Sequence, residues 1–200
     1  IGAVNTILNE DGQLKGYNTD GIGALKGITE AYGEVTNAKV VMVGAGGAAR
    51  AVGYHLSTEV RKLTIANRTL ERAEELATSL SANPECQATV GSIPLERDSL
   101  RAAIEEADLL VNGTPLGMHP KTGDTPVPKE MLHQGLLVFD LVYNPIKTRL
   151  LREAEEAGAA ILPGVNMLVY QGVTAFKMWT GVDPPVETMK AAVIEALGGG

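Results

Sequence analysis

Residues 40–51 read Val40-Val41-Met42-Val43-Gly44-Ala45-Gly46-Gly47-Ala48-Ala49-Arg50-Ala51. The apolar run predicts a buried β-strand, and the small residues after it predict a tight turn into a helix. Gly44 permits the turn, Gly46 lets the backbone approach a diphosphate, and Ala49 lets the helix pack closely on the strand. A helix N-terminus also attracts phosphate. We therefore favour a Rossmann-type dinucleotide site over a purely structural turn. The predicted diphosphate-binding residues are Gly44, Ala45, Gly46, Gly47 and Ala48.

The residues after the second strand indicate which dinucleotide binds. The strand is predicted over 62–66, and Asn67-Arg68-Thr69 follows where NAD-specific folds place an acidic residue. A carboxylate would repel a 2′-phosphate, whereas Arg68 can pair with it. Arg72, one turn into the next helix, is placed to lie over the adenine or to support the phosphate. The sequence thus predicts NADP(H). In the alternative interpretation Thr69 only caps the helix and Arg68 is solvated.

The rest of the chain alternates strand-like and helix-like segments. Further strands are predicted at 3–8, near 88–90, and at 109–112, 136–140 and 160–162; helices are predicted at 18–32, 69–80, 95–107, 148–157, 165–179 and 186–197. This alternation predicts an α/β fold of the Rossmann type, doubly wound, with a mostly parallel sheet and helices on both faces. The loop at 113–128, rich in Gly, Pro and Thr, is a candidate active-site loop.

The composition narrows the class of protein further. The formal net charge of −7 argues against non-specific binding to nucleic acid or to anionic membranes. No apolar run approaches the roughly 20 residues of a membrane-spanning helix. The single cysteine, Cys86, fits a reducing compartment and predicts a cytoplasmic protein. No His, Cys, Asp or Glu residues have metal-ligand spacing, so no metal is expected. An oligomer is possible, but the sequence does not determine one.

Several motifs match one known family together. They are Gly2-Ala3-Val4-Asn5-Thr6, Tyr17-Asn18-Thr19-Asp20-Gly21-Ile22-Gly23, the glycine turn at 44–51, Asn67-Arg68-Thr69, Asn112-Gly113-Thr114-Pro115-Leu116-Gly117-Met118, Asp140-Leu141-Val142-Tyr143-Asn144-Pro145, and Gly164-Val165-Asn166-Met167-Leu168-Val169-Tyr170-Gln171. In this order and spacing the chain resembles shikimate dehydrogenase over essentially its whole length. The resemblance implies reversible, NADPH-dependent reduction of 3-dehydroshikimate to shikimate, a step of aromatic amino-acid and chorismate biosynthesis.

The resemblance also implies roles for single residues. Asn5 and Asp20 would bind hydroxyl groups of the substrate, and Tyr143 and Gln171 would contact it from the other side. Asp20 would in addition be catalytic, as the partner of a lysine. Leu141 and Gly164 would line the nicotinamide site.

Each of these assignments has a structural alternative. Thr19 or Asp20, considered alone, is favoured as a helix cap. Asn5 could be a turn residue, Tyr143 could simply pack beside the Asn144-Pro145 turn, and Gln171 could be a core residue bonded to the backbone. The joint occurrence of the motifs reverses these odds for Asn5, Asp20, Tyr143 and Gln171.

The family places its catalytic lysine, and hydroxyl residues that grip the substrate carboxylate, before the motif at residues 2–6. No residue of this chain takes their place, so residues 1–19 are expected to be a remnant of a second α/β domain that binds substrate. Residues 20–164 are expected to form the NADP-binding domain, and helices in 165–200 to return to the substrate domain. We therefore expect a truncated chain that binds NADP and is weakly active or inactive alone. The alternatives are a non-catalytic NADP-binding module and a related quinate/shikimate dehydrogenase, which usually accepts NAD.

Overall fold

The computed structural model describes residues 1–198; residues 199–200, the end of the predicted segment 165–200, lie outside the described part. The strands are β1 (Thr6–Glu10), β2 (Gln13–Tyr17), β3 (Lys39–Val43), β4 (Lys62–Asn67), β5 (Thr89–Pro94), β6 (Leu109–Asn112), β7 (Leu137–Asp140) and β8 (Ala160–Leu162). The helices are α1 (Asp20–Tyr32), α2 (Gly47–Ser57), α3 (Leu70–Ser81), α4 (Arg97–Glu105), α5 (Arg149–Glu156), α6 (Val165–Thr180) and α7 (Val186–Ala196), with a short 3-10 helix at Lys129–Met131. Among the described helices, none has both the length and the apolar character needed to cross a membrane.

Strands β3 to β8 form one parallel sheet in the order β5-β4-β3-β6-β7-β8. The chain runs outward from β3 to β5, returns to the centre, and then runs outward from β6 to β8. The direction of winding therefore reverses between β3 and β6, where Val43 is in register with Asn112. A crevice at the carboxyl ends of the strands is expected at such a reversal, and open α/β sheets bind ligands there. The predicted Rossmann-type fold is confirmed.

Apolar side chains cover both faces of this sheet. In β3, Val40 and Met42 point into the core on one side and Val41 and Val43 into the core on the other. Helices α1, α2 and α3 contribute to the first core, and α4 and α5 to the second. Because side chains alternate along a strand, only a strand apolar at every position can be buried on both faces. The continuous apolar run of β3 thus fits a central position in the sheet.

The first two strands lie outside this sheet. β1 and β2 form an antiparallel pair connected through Asp11 and Gly12, which both have positive φ angles. That geometry suits the Asp-Gly turn in the sequence. The first strand begins at Thr6, whereas the apolar residues before it predicted a start at Ala3. Trp179 of α6 donates a hydrogen bond from Nε1 to the Ile7 carbonyl oxygen at 3.0 Å and so ties this pair to α6.

Helix α1 packs tightly against α2 on one side and α6 on the other. A Cβ atom at Gly21 would lie 2.3 Å from the Ala51 carbonyl oxygen of α2. One at Gly23 would lie 2.6 Å from the Gln171 nitrogen and 2.8 Å from the Met167 oxygen of α6. These neighbours are backbone atoms, so they cannot move aside without moving a helix. The two glycines fix the distance between α1 and its neighbours.

We expect Gly23→Ala to lower the free energy of unfolding by roughly 1–3 kcal/mol, because α6 would have to move away from α1. Gly27→Ala, one turn along the same helix, is the matched control. A Cβ there would lie 3.5 Å from the Asn166 Cβ, an ordinary contact, and alanine favours a helix by roughly 0.5–1 kcal/mol. Denaturant unfolding of both variants measures this. Equal effects of the two substitutions would contradict the close-contact explanation.

Candidate active site

The glycine turn after β3 stands at the point where the winding of the sheet reverses. Gly44 has a φ of +111°, and a Cβ on it would lie 2.9 Å from the Gly113 oxygen at the end of β6. Gly46 precedes α2, and Cβ atoms built on Gly46 and Gly47 would meet no atom within 4 Å. One glycine is therefore needed for a tight turn, while the next two face open space. The first N–H groups of α2, which have no partner within the helix, border that space.

A groove of about 460 Å³ opens over this turn. Its floor is formed by Gly46, Gly47 and Ala48. One wall, called here the β6 wall, consists of Gly113, Thr114 and Pro115 after β6, with Met118 and His119 beyond it. The other wall, called here the β7 wall, consists of Leu141, Val142, Tyr143 and Asn144 after β7.

A smaller cavity of about 250 Å³ lies next to the groove, on the other side of Thr114 and Pro115, which line both spaces. Asn67 and Arg68 border it from the end of β4, and Leu95 and Leu116 complete it. No carboxylate is among these lining residues. Arg68 is exposed there, so a dianionic group entering this end would meet a guanidinium group and no acidic side chain.

The other predicted cofactor residues have different surroundings. Gly44 is buried, Ala45 is half-buried, and Thr69 and Arg72 are exposed at the start of α3, outside the lining of the small cavity. The Thr69 carbonyl oxygen accepts a hydrogen bond from Asn67 Nδ2 at 2.8 Å, but the Thr69 side chain makes no capping hydrogen bond.

Gly164 is buried, and a Cβ on it would lie 2.6–2.8 Å from the carbonyl oxygens of residues 140–142. It therefore packs directly behind the β7 wall.

Several groove residues were missed when single residues were assigned from the sequence. They are Gly113, Thr114, Pro115, Met118, His119, Val142 and Asn144. The signal for the first five was the loop predicted at 113–128, which named a segment without naming single residues. The order of the strands in the sheet brings that loop opposite residues 141–144, and local sequence patterns do not determine that order.

A buried polar network joins the two walls beneath the groove. Asn112 Nδ2, at the end of β6, donates to Asp140 Oδ1, at the end of β7, at 2.9 Å. Asp140 Oδ1 also accepts from the Val142 N–H at 3.0 Å, and Asp140 Oδ2 accepts from Thr148 Oγ1 at 2.6 Å. Asn112 Oδ1 in turn accepts from the N–H and the hydroxyl of Thr114 at 2.9 and 2.7 Å. Each wall is thus hydrogen-bonded to a side chain that is itself fixed in the core.

The environment of Asp140 opposes its ionisation. Burial raises the pKa of this carboxyl from 3.8 to about 6, although the hydrogen bonds from Thr148, the Val142 N–H and Asn112 each favour the ionised form. The side chain is completely buried, and its hydrogen-bond donors are neutral. Desolvation therefore outweighs hydrogen bonding at this position.

The residues predicted to bind substrate lie in two places. Asn5, Asp20 and Gln171 come together with Thr6 and Thr19 in a set called here the polar cluster. Asn5 Nδ2 donates to Asp20 Oδ1 at 2.8 Å, and Thr19 Oγ1 donates to Gln171 Oε1 at 3.2 Å. Tyr143 is in the β7 wall instead, 41% exposed, and among the described residues no hydrogen bond connects it to the polar cluster.

The structure corrects the capping interpretation at the start of α1. Thr19 occupies the N-cap position but makes no side-chain capping hydrogen bond. Asn18 Oδ1 instead accepts from the Asp20 N–H at 3.0 Å, as in an Asx turn. Thr19 and Asp20 do not cap the helix because their side chains are engaged by Asn5, which β1 brings alongside from 14 residues earlier in the chain.

Comparison with known proteins places this geometry in a family. A model of the shikimate / quinate 5-dehydrogenase family matches residues 27–141, and a model of the shikimate 5′-dehydrogenase C-terminal domain matches residues 164–194. A relative from Methanosarcina acetivorans, named shikimate dehydrogenase (NADP(+)), is 51% identical to this chain over 198 residues. The match covers 98% of this chain and 70% of the relative. The chain belongs to the shikimate dehydrogenase family.

Solved structures of the family agree with the fold. Shikimate dehydrogenase of Thermus thermophilus, in complex with NADP(H) and shikimate, is 37% identical with a TM-score of 0.83, over 98% of this chain and 69% of that one. Quinate dehydrogenase of Corynebacterium glutamicum, in complex with NAD, is 35% identical with a TM-score of 0.88, and the match covers 97% of this chain and 68% of that one. The fold is therefore common to family members that were solved with different nucleotides.

The pKa of Asp140 predicts how the stability of the protein depends on pH. The pKa of Asp140 is higher in the folded state than in the unfolded state. The stability that the protonated Asp140 carboxyl contributes is therefore complete below about pH 3.8 and is lost as the pH rises through about 6. Between pH 7 and pH 4 the wild type should gain roughly 2 kcal/mol relative to Asp140→Asn, whose amide can keep the Oδ1 hydrogen bonds. Denaturant unfolding at several pH values measures this difference.

Asp98→Asn is the control, because it removes an exposed carboxylate on α4. It should follow the pH dependence of the wild type to within about 0.5 kcal/mol. If the stability of Asp140→Asn also runs parallel to that of the wild type between pH 4 and pH 7, Asp140 does not have a raised pKa.

Proposed function

We propose that this protein is an NADP-dependent shikimate dehydrogenase, which interconverts 3-dehydroshikimate and shikimate. The observation that carries the proposal is a pair of adjacent cavities: the groove has an open glycine floor, and the small cavity beyond Thr114 and Pro115 is lined by Arg68 and by no acidic residue. An extended dinucleotide with a 2′-phosphate has this distribution of charge. The likeness to NADP-named relatives supports the same assignment.

The described residues fit the cofactor at three points. The diphosphate is assigned to Gly44, Ala45, Gly46, Gly47 and Ala48, where the open space over Gly46 and Gly47 leaves room for it and α2 supplies N–H donors. The adenosine 2′-phosphate is assigned to Asn67, Arg68, Thr69 and Arg72. The nicotinamide is assigned to the β7 wall, with Leu141 in front of it and Gly164 packed behind.

The cofactor, when bound, supplies the hydride that reduces a substrate carbonyl carbon. The chain's own residues orient the substrate ring, and Asp20 is assigned a role in orienting the group that gives the proton. Leu141 and Val142 give the nicotinamide end an apolar surface that displaces water, and Tyr143 is exposed at its rim to contact substrate. Asp20 and Gln171 offer the hydrogen-bonding groups that a polyhydroxylated ring requires, and Asn5 contributes to the same site by holding Asp20 in place.

Reduction of a ketone leaves an alkoxide oxygen that must take up a proton. We assign to Asp20 the orientation of the lysine that gives this proton in the family. Asn5 Nδ2 holds Oδ1 of this carboxylate, which leaves Oδ2 for the ammonium group or for a substrate hydroxyl. Binding, rather than turnover, is the suitable measurement for these 200 residues, since none of them matches the family's lysine.

We further propose the division into a substrate part, residues 1–19 with 165–200, and an NADP-binding part, residues 20–164. The β1–β2 pair stands apart from the parallel sheet and is hydrogen-bonded to α6, which supports this division. We also propose a cytoplasmic location, which the single cysteine supports because it fits a reducing compartment.

Arg68→Ala should weaken binding of NADPH about tenfold and leave binding of NADH unchanged, because only NADPH has the 2′-phosphate. Arg61→Ala is the control: Arg61 is also exposed, but its backbone N–H donates to the Ala38 oxygen at the opposite, amino-terminal end of the sheet. Fluorescence titration with each nucleotide measures both affinities. Equal affinities of the wild type for NADPH and NADH would rule out the phosphate role and favour the quinate-type alternative.

A shikimate titration distinguishes the hypothesis that this protein is an enzyme from the hypothesis that it is a non-catalytic NADP-binding module. In the presence of NADP⁺ we expect saturable binding of shikimate, weakened about tenfold in Asp20→Asn because a charge-assisted hydrogen bond becomes a neutral one. Binding of NADPH should not change, since Asp20 is not in the lining of the groove. Tight NADPH binding without shikimate binding to the wild type would favour the module. Calorimetry gives both constants.

A further inference from the structure

We propose that Thr19 is a positioning residue that fixes the Asn5 and Gln171 amides and, through Asn5, the Asp20 carboxylate, and so fixes which atoms of Gln171 and Asp20 are left for the substrate. The proposal deepens the proposed function and rests on it. Thr19 is completely buried, and since Asn18 makes the turn at the start of α1, the Thr19 hydroxyl is available to other side chains. Those side chains are two of the residues assigned to substrate.

The orientation of the Asn5 amide is set by a backbone donor whose direction cannot be reversed. The Thr19 backbone N–H donates to Asn5 Oδ1 at 2.9 Å, and the Thr6 hydroxyl donates to the same oxygen at 2.9 Å. A backbone N–H can only donate, so the oxygen of the amide must face it. Asn5 Nδ2 is thereby turned to Thr19 Oγ1 at 3.1 Å and to Asp20 Oδ1 at 2.8 Å, and these two bonds use both of its hydrogens.

The Gln171 amide is fixed in the same way from the other side. Its Nε2 donates to the Leu168 carbonyl oxygen at 3.0 Å, and a carbonyl can only accept. Gln171 Oε1 must then face Thr19 Oγ1, which lies 3.2 Å away. One hydrogen of Gln171 Nε2 remains for a ligand.

The Thr19 hydroxyl connects the two amides because it accepts and donates at once. It accepts from Asn5 Nδ2 at 3.1 Å, and its single hydrogen is assigned to Gln171 Oε1 at 3.2 Å, because Asn5 Oδ1 already accepts from the Thr19 N–H and the Thr6 hydroxyl. The groups of Asn5, Asp20 and Gln171 that are not used within the protein are then one donor hydrogen on Gln171 Nε2 and one acceptor, Asp20 Oδ2. A pair of neighbouring hydroxyl groups on a ring can meet such a donor and acceptor together.

The matched variants are Thr19→Val, which keeps the shape and loses the hydroxyl, and Thr19→Ser, which keeps the hydroxyl and loses the methyl group. We expect the affinity for shikimate, with NADP⁺ present, to fall about tenfold in Thr19→Val and to stay within about threefold of the wild type in Thr19→Ser. The affinity for NADPH should stay within about twofold in both. Calorimetry with shikimate and with NADPH measures all of these.

The outcomes separate the inference from the proposed function. Equal shikimate affinity in the wild type and Thr19→Val, or an equal loss in both variants, overturns the role of the hydroxyl and leaves the proposed function intact. A wild type that binds NADPH but not shikimate overturns the proposed substrate and the inference with it.

A measurement on the wild type keeps the inference testable if Thr19→Val does not fold. In ¹⁵N-labelled protein without ligand, both side-chain amide hydrogens of Asn5 should exchange with water much more slowly than those of a free amide, and one hydrogen of Gln171 should exchange fast. Rapid exchange of both Asn5 hydrogens would overturn the proposed hydrogen-bond arrangement.

Discussion

The close approach of the β3 and β6 ends is the constraint on which the rest of the site depends. A Cβ on Gly44 would collide with the Gly113 backbone, and one on Gly113 would lie 2.8 Å from the Ala49 Cβ of α2. Three residues without large side chains thus allow a strand end, a loop and a helix to meet at one point. The helix N-terminus is thereby aimed between the two halves of the sheet, where the winding reverses and the groove opens.

The buried network beneath the groove complements this apolar contact. Asn112 and Asp140 are opposite each other in register at the ends of neighbouring strands, and each holds the wall that follows its own strand. Their burial has a cost in desolvation, which is visible in the raised pKa of Asp140. Loops that carry binding residues need such fixed hydrogen-bond partners, because apolar contacts alone do not set the direction of a backbone.

Most of the sheet and one end of the site could be predicted from the sequence because local patterns determine them. The apolar run of β3, the glycine turn and Asn67-Arg68-Thr69 lie within about 30 residues of one another, and each has its own physical signature. Thr19 was misread as a cap, since the N-cap preference of threonine is local whereas its partners Asn5 and Gln171 are 14 and 152 residues away. Gly23 has no local signature at all, because only α6 makes it necessary. The assignment of each site residue to a ligand stays a prediction.

The central claim is that the groove over the glycine turn holds the dinucleotide, and a nucleotide titration followed by amide NMR tests it most directly. If the account is right, NADP⁺ shifts the amide resonances of Gly46, Gly47, Thr114 and Val142, on the floor and on both walls, while those of α7, which lines no part of the groove, stay in place. Saturable binding whose shifts fall elsewhere, or no shift at Gly46 and Gly47, would contradict it.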